Sequence, residues 1–326
     1  MTITINTSAK PLVSVKGLSK SYSAGWSFPW LHRNPQIIAL DHFGIDIYPG
    51  EIHGLIGPNG AGKTTLLKIL WQMVQPDAGT IQLDGIDYAQ MTLVSGEERG
   101  FYFRLSGWEN LVFFGRLSGL TRKQIIEQAT TLAKQLGLSE ILSRRYQTYS
   151  TGEKQKLAIL RGLLCSPRLL MLDELAKGLD PQATAGITVI LQELAKKGMS
   201  ILLATHRLDL ASQICQTITM IHHGKTLASG SPAELSHQLS SLHRYRLVII
   251  GERDSAQSLL KPYLRSELRE DNGRLCAELT LTNEKDLAEL SLKLASSHIS
   301  ILELSPLEEG LEEVYNRLLV NEQHED

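Results

Sequence analysis

Over the first 230 or so residues, short β-branched runs alternate with stretches whose apolar positions recur at helical spacing. That order predicts an α/β layered domain with a largely parallel sheet. The predicted strands are Leu12–Lys16, Ile37–Tyr48 with a break, Glu51–Ile56, Arg168–Asp173, Ser200–Ala204 and Thr217–His222. Between Gly96 and Leu164 the period changes: Trp108–Leu117, Ile125–Leu136 and Leu157–Leu164 carry apolar residues at helical spacing, which predicts a helical insert at about 96–165. Ser231-Pro232 opens a short helix, and the polar, Ser-rich sequence around Ser236–Ser241 predicts a linker, dividing the chain into domains 1–238 and 239–326. Beyond it the pattern reads strand Tyr245–Ile250, helix Ser255–Leu264, strand Arg274–Leu281, helix Glu284–Ala295, strand Ile299–Leu304 and helix Leu307–Leu319, a small α+β domain.

Composition narrows the function. The 326 residues suit two domains, and 33 Lys plus Arg against 35 Asp plus Glu give a formal charge of −2, so no overall basic field draws the chain to nucleic acid. Unbroken apolar runs reach four residues, as in Leu169–Leu172, where a membrane-spanning helix needs ~20. The start, Met1-Thr-Ile-Thr-Ile-Asn, lacks the basic and apolar regions of a signal peptide, and three unpaired cysteines (Cys165, Cys215, Cys276) argue against a disulfide framework or a thiolate metal site. A cytoplasmic location is expected.

Gly57-Pro58-Asn59-Gly60-Ala61-Gly62-Lys63-Thr64 matches G-x-x-x-x-G-K-[ST], after a predicted strand and before the amphipathic run that starts at Thr65. Glycines let backbone N–H groups converge on phosphate oxygens, and the following helix N-terminus adds positive potential. In this reading Gly57 through Thr65 cradle a nucleotide, Lys63 neutralises its β and γ phosphates and the Thr64 hydroxyl ligates Mg²⁺. The predicted strand Leu169–Leu172 ends in Asp173 and Glu174, whose alternation on a strand predicts opposite faces and different roles. Asp173 is placed to hold Mg²⁺ and Glu174 to orient and deprotonate an attacking water.

A third motif, Tyr149-Ser150-Thr151-Gly152-Glu153, resembles the L-S-G-G-Q signature of the nucleotide-binding subunits of ABC transporters. The resemblance is strong over residues 12–230. It implies a P-loop NTPase fold of ABC type, ATP and Mg²⁺ as ligands, and two subunits packed head to tail, so that Ser150 and Gly152 of one close over the γ-phosphate held by the other. It further implies that Asp180, in Gly178-Leu179-Asp180, lies beside the catalytic water at the dimer interface. His206 resembles the switch histidine on the γ-phosphate, and Tyr22, in Leu18-Ser-Lys-Ser-Tyr22, the aromatic that stacks on adenine. Thr151, Glu153 and Leu175-Ala176 depart from the family's Gly, Gln and Pro-Thr. The family's Q-loop glutamine precedes a stretch that here looks like Leu105-Ser-Gly-Trp-Glu109-Asn110-Leu111, and the position falls on Glu97 or its neighbour Glu98, a carboxylate that can bind Mg²⁺ and water.

The family's membrane subunit docks around the Q-loop and helical insert, where this chain concentrates Phe101, Tyr102, Phe103, Trp108, Phe113 and Phe114. Phe113 and Phe114, on a predicted helix, read as the insert's core, while Phe101–Phe103 in a loop fit docking or core equally. Trp26-Ser-Phe28-Pro-Trp30-Leu-His-Arg33-Asn-Pro35 reads as a loop, either a hairpin tip on its own sheet or a contact to a partner or membrane interface. Leu302–Tyr315 is similar to the ending of ABC-2-type exporter ATPases. The expected function is therefore the ATP-hydrolysing subunit of an exporter, peripheral on the cytoplasmic face of the membrane beneath a separate permease, working as a homo- or heterodimer without nucleic acid. The alternatives are a soluble ABC ATPase acting on nucleic acid or ribosomes, an importer subunit, and an inactive regulatory cassette.

Overall fold

A computed structural model describes residues 10–23, 36–95, 100–238, 243–271, 273–281, 284–306, 311–315 and 318–319. The chain divides into two compact units, Met1–Pro232 and Ala233–Asp326. The first contains β1 (Val13–Ser23), β2 (Gln36–Ile47), β3 (Ile52–Ile56), α1 (Lys63–Leu70), β4 (Ala78–Leu83), β5 (Met91–Ser95), α2 (Gly107–Leu117), α3 (Arg122–Leu136), α4 (Thr151–Leu163), β6 (Leu169–Asp173), α5 (Pro181–Lys196), β7 (Ser200–Thr205), α6 (Leu208–Ile214), β8 (Thr217–His222) and β9 (Lys225–Gly230). The division between units falls in α7 (Pro232–Gln238).

Strands β5-β6-β7-β3-β8 pair in parallel, and β9 closes the edge antiparallel to β8. Every residue of β3, β6 and β7 is buried, as a parallel sheet covered on both faces requires. A separate antiparallel sheet, β2-β1-β4, was not expected from the sequence, nor were strands β4, β5 and β9. Their residues are short or half-exposed runs, such as Ala78-Gly-Thr-Ile-Gln-Leu83, whose strand character comes from cross-strand pairing rather than from apolar content. The core between the two sheets joins Val13 and Val15 of β1, Leu40, Phe43 and Ile47 of β2, Leu66, Leu67 and Leu70 of α1, and Leu169, Met171 and Leu202 of the parallel sheet.

The helical insert starts each helix with the same device. Ser106 with Glu109, Thr121 with Gln124 and Ser150 with Glu153 form reciprocal capping boxes that satisfy otherwise orphaned N–H groups of α2, α3 and α4. The second unit contains β10 (His243–Ile250), α8 (Arg253–Leu260), β11 (Arg269–Asp271), β12 (Arg274–Leu281), α9 (Glu284–Ser296) and β13 (Ser300–Pro306). Its βαββαβ order builds an antiparallel sheet β11-β12-β10-β13. Leu247, Ile249, Leu275 and Leu279 pack with Ala256, Leu260, Leu290 and Leu294 of its helices. Residues 311–315 and 318–319 are helical, while 307–310 and 316–317 of the expected last helix, and all of Trp26–Pro35, lie outside the described residues.

One carboxylate pins the outer half of β1. Asp77, just before β4, accepts from Lys20 Nζ (2.7 Å), Ser21 N (2.7 Å) and Ser21 Oγ (2.9 Å). These bonds, the Lys20 one foremost, lower its pKa from 3.8 to about 2. A carboxyl held ionised by folding stabilises the native state above its unfolded pKa, and that contribution is lost as pH falls toward the folded value. Asp77→Asn is therefore expected to lower the melting temperature at neutral pH, with mutant and wild-type curves converging between pH 3.8 and about 2 in thermal unfolding followed against pH. Coincident curves would show that the clamp contributes nothing, and curves offset equally at every pH that its contribution does not come from the carboxylate charge.

Candidate functional site

The loop between β3 and α1 wraps the C-terminal end of the parallel sheet. Gly57 N donates to Thr205 O (3.4 Å), Ala61 N to Pro58 O (3.2 Å), and Gly224 N, from the β8–β9 turn, to Ala61 O (3.0 Å). A Cβ on Gly57 would stand 2.2 Å from Ile221 O, and one on Gly62 2.3 Å from Ala39 O, so only glycine fits at either place. Gly62 caps α1 at φ +112 and turns the chain so that the helix begins at Lys63. The first-turn N–H groups of α1 have no intrahelical acceptors and add their positive potential to the loop.

The Lys63 ammonium is buried, donating to the carbonyls of Gly57 (2.7 Å) and Pro58 (3.0 Å). Thr64 Oγ1 donates to Asp173 Oδ2 (2.8 Å), joining α1 to the end of β6. Asp173 Oδ1 is buried and takes no hydrogen bond. Burial pushes the Asp173 carboxyl above its ordinary 3.8, against the Thr64 hydrogen bond.

Glu174 departs from the expected strand alternation. Strand β6 ends at Asp173, and Glu174 takes a left-handed backbone (φ +51) while its N–H donates to Ala204 O (2.9 Å). Alternation therefore stops one residue early, and the two carboxylates reach adjacent residues of α1 instead of opposite faces: Asp173 meets Thr64, and Glu174 Oε1 lies 3.4 Å from Lys63 Nζ. Glu174 Oε2 is 2.8 Å from His206 Nδ1, just beyond β7. The elements thus bring the loop lysine, two carboxylates and a histidine into one chain of contacts.

A cleft of about 180 Å³ opens beside them, lined by Asn59, Gly60, Gly62, Lys63, Thr64, Thr65 and Glu174, with Ile37, Ile38 and Ala39 of β2 opposite. Ile37 is 58% and Ile38 61% exposed, two adjacent isoleucines in the open on a strand start. Period-two reasoning puts one of such a pair inside, and only the cleft identifies both as wall residues. Tyr22 pairs across from Ile37, is exposed, and has Lys20 Nζ 5.7 Å from its ring centroid; it does not line the cleft.

Ser150, Gly152 and Asp180 do not line it either. Ser150 caps α4, its Oγ accepting from Glu153 N (3.2 Å), and Gly152 faces Ala183 of α5. Asp180 caps α5, accepting from Ala183 N (2.7 Å). Glu97 and Glu98 lie outside the described residues.

In the aromatic group of the insert, one ring departs from expectation and the loop residues divide between core and surface. Phe101, though in a loop, is buried, stacked on Tyr146 (4.7 Å) and covered by Arg161 of α4 (4.6 Å). Phe113, expected in the core, is 41% exposed and meets the exposed Tyr102 edge-on at 4.8 Å. The arrangement follows Arg161, whose guanidinium sits against both Phe101 and Phe114 and donates to Gly100 O (3.1 Å). It draws those two rings inward and leaves Tyr102, Phe103 and Phe113 at the surface.

A glycine loop after a parallel strand, a buried lysine at a helix start and a carboxylate on the following hydroxyl define a P-loop nucleotide-binding protein. A family described as "ABC transporter" matches residues 40–177. The daunorubicin/doxorubicin resistance ATP-binding protein DrrA of Streptomyces peucetius is 31% identical over 285 residues, covering 85% of this chain and 86% of its own. The Nod factor export ATP-binding protein I of Paraburkholderia xenovorans is 35% identical over 203 residues, 60% of this chain and 67% of its own. The structure of cbiO1 from Clostridium perfringens, part of the ABC transporter complex cbiONQ, superimposes with a TM-score of 0.60 at 25% identity, covering 71% of this chain and 95% of that one. The chain belongs to the ABC transporter ATP-binding subunits and is an ATP-hydrolysing enzyme of that family.

Proposed function

We propose that this chain drives an ABC exporter, working as a head-to-tail dimer on the cytoplasmic face of the membrane beneath a separately encoded permease. The observation that carries the reading is the chain of contacts from Thr64–Asp173 through Lys63–Glu174 to His206 at the rim of the glycine loop. In it Gly57 through Thr65 hold the phosphates of ATP, and Lys63 exchanges its loop carbonyls for phosphate oxygens. Glu174 orients a water and takes its proton, with His206 holding that carboxylate in place.

Mg²⁺ suits the residues present. The Thr64 hydroxyl and the Asp173 carboxylate, whose Oδ1 is buried without a hydrogen bond, would hold it. Among the described residues no cluster of three or more His, Cys, Asp or Glu is built to cage a metal, which fits an ion that shares its shell with water and phosphate. When bound, the cation neutralises charge on the phosphates. Glu97 is the proposed sensor in place of the family's glutamine, and Tyr22 the proposed stack for adenine beside Ile37 and Ile38.

Among the described residues no helix is long and apolar enough to cross a membrane, so the membrane contact is proposed to be made through a partner. Tyr102 and Phe113, in edge-on contact, and Phe103 are exposed aromatics in and beside the insert, the region where the family receives its permease. Export is supported by the likeness of Leu302–Tyr315 to exporter endings and by the relatives' names. The test is affinity purification of the full chain from membranes. An integral membrane protein is expected to co-purify and to be lost on Tyr102→Ser/Phe103→Ser, while a chain recovered with ribosomes or nucleic acid would overturn the reading.

A further inference from the structure

Glu153 places a carboxylate in the signature-like turn, where the family carries an uncharged glutamine. The structure fixes that carboxylate firmly: Glu153 Oε2 accepts from Ser150 N (2.7 Å) while Ser150 Oγ accepts from Glu153 N (3.2 Å). The charge therefore stands at the N-terminus of α4, the end that the proposed dimer turns toward the opposing triphosphate. A bare carboxylate there would repel the phosphates and offset the favourable helix-terminus potential.

It is not bare. Arg144 Nη1 lies 3.5 Å from Glu153 Oε1, its Nη2 donates to Thr148 O (2.7 Å), and its guanidinium sits 5.7 Å from the Tyr149 ring centroid. The Tyr149 hydroxyl in turn donates to Ile141 O (2.6 Å), closing the segment that carries Arg144 onto itself. The neighbouring cation Lys154 has its ammonium 5.7 Å from the Tyr146 ring centroid. Both Arg144 and Glu153 are partly solvated, so the pair itself adds little to folding stability. Its consequence is the net charge of the turn.

We propose that Arg144 is a positioning residue of the signature turn: it neutralises Glu153, so that Ser150 and the first turn of α4 can approach the γ-phosphate held by the opposing protomer. The inference rests on the head-to-tail dimer proposed above. It accounts for how an acidic residue is carried at this place in an active ATPase.

The experiment follows ATP-dependent pairing of the full chain by sedimentation in a Glu174→Gln background, with magnesium-ATP as the probe, and KM against kcat in the Glu174 parent. Arg144→Gln keeps a donor for the Thr148 carbonyl but removes the charge. It is expected to weaken pairing and raise KM about tenfold, with kcat changed less than about threefold and the defect narrowing at high salt. Adding Glu153→Gln is expected to return pairing to within about threefold of the parent, since no charge is then left unopposed. An Arg144→Gln variant that pairs like its parent overturns the inference, as does a double variant as weak as Arg144→Gln alone, which would assign Arg144 to loop structure. Absence of ATP-dependent pairing in the Glu174→Gln parent overturns the dimer reading and this inference with it, and so is distinguishable from failure of the inference alone.

Discussion

Glu174→Gln is expected to lower ATP turnover by about three orders of magnitude while leaving ATP binding in place. The amide matches the carboxylate in shape and can still meet Lys63, 3.4 Å away, and His206 at 2.8 Å. What it cannot do is accept a proton from water. The positive φ of Glu174 is a strain of roughly 1 kcal/mol or more for a residue with a Cβ, and glutamine inherits it unchanged. Folding and loop geometry therefore stay constant, and the loss reads the missing base alone. Phosphate release measured beside equilibrium ATP binding separates the two effects. Turnover within about tenfold of wild type would remove Glu174 from the chemistry, because a positioned general base is worth about 10²-fold or more. His206→Ala is expected to lose less, since the role proposed for His206 is to hold Glu174, which it contacts at 2.8 Å.

The readable and unreadable parts of this site divide along a physical line. Gly57–Thr64 is legible because its function is written in local backbone demands, glycines at fixed offsets between a strand and a helix. The three caps Ser106, Thr121 and Ser150, each with Glu or Gln three residues on, are a local signal of the same kind, one that the reading of the helices by apolar spacing passed over. The convergence of Asp173 and Glu174 is not, because the left-handed turn at Glu174 is imposed by its N–H bond to Ala204 on a neighbouring strand. Phe113 leaves its expected place in the core, and the open choice for Phe101 falls to the core, because Arg161, distant in sequence, covers the rings of Phe101 and Phe114. Arg144 opposite Glu153 needs the fold of the intervening turn, and the sheet β2-β1-β4 needs pairing partners that composition does not reveal. Periodicity reports which face a residue prefers, and tertiary hydrogen bonds decide where an element stops.

Gly62→Ala is expected to abolish nucleotide binding, whereas Gly60→Ala, two residues earlier in the same loop, is expected only to weaken it. Both glycines have positive φ, +84 at Gly60 and +112 at Gly62, so each substitution carries a backbone penalty of about 1–2 kcal/mol. They differ in what a methyl group would meet. At Gly60 nothing lies within 4 Å, while at Gly62 the methyl would stand 2.3 Å from Ala39 O and 3.0 Å from Leu40 Cδ2. The β2 backbone cannot retreat cheaply, because Asp41 N is bonded to Gly224 O and Gly224 N to Ala61 O, locking strand, turn and loop together. The overlap adds about 1–3 kcal/mol, bringing Gly62→Ala to roughly 2–5 kcal/mol, a large part of the 5–15 kcal/mol of a typical domain. The strain has an outlet in moving the loop, and a loop displaced from α1 no longer aims its N–H groups at phosphate. Thermal unfolding with and without ATP checks both points. Gly62→Ala should melt lower by about 5–15 °C and show no upward shift on adding nucleotide, while Gly60→Ala keeps the shift. Equal melting temperatures and equal nucleotide shifts in the two variants would mean that β2 does not back the phosphate loop.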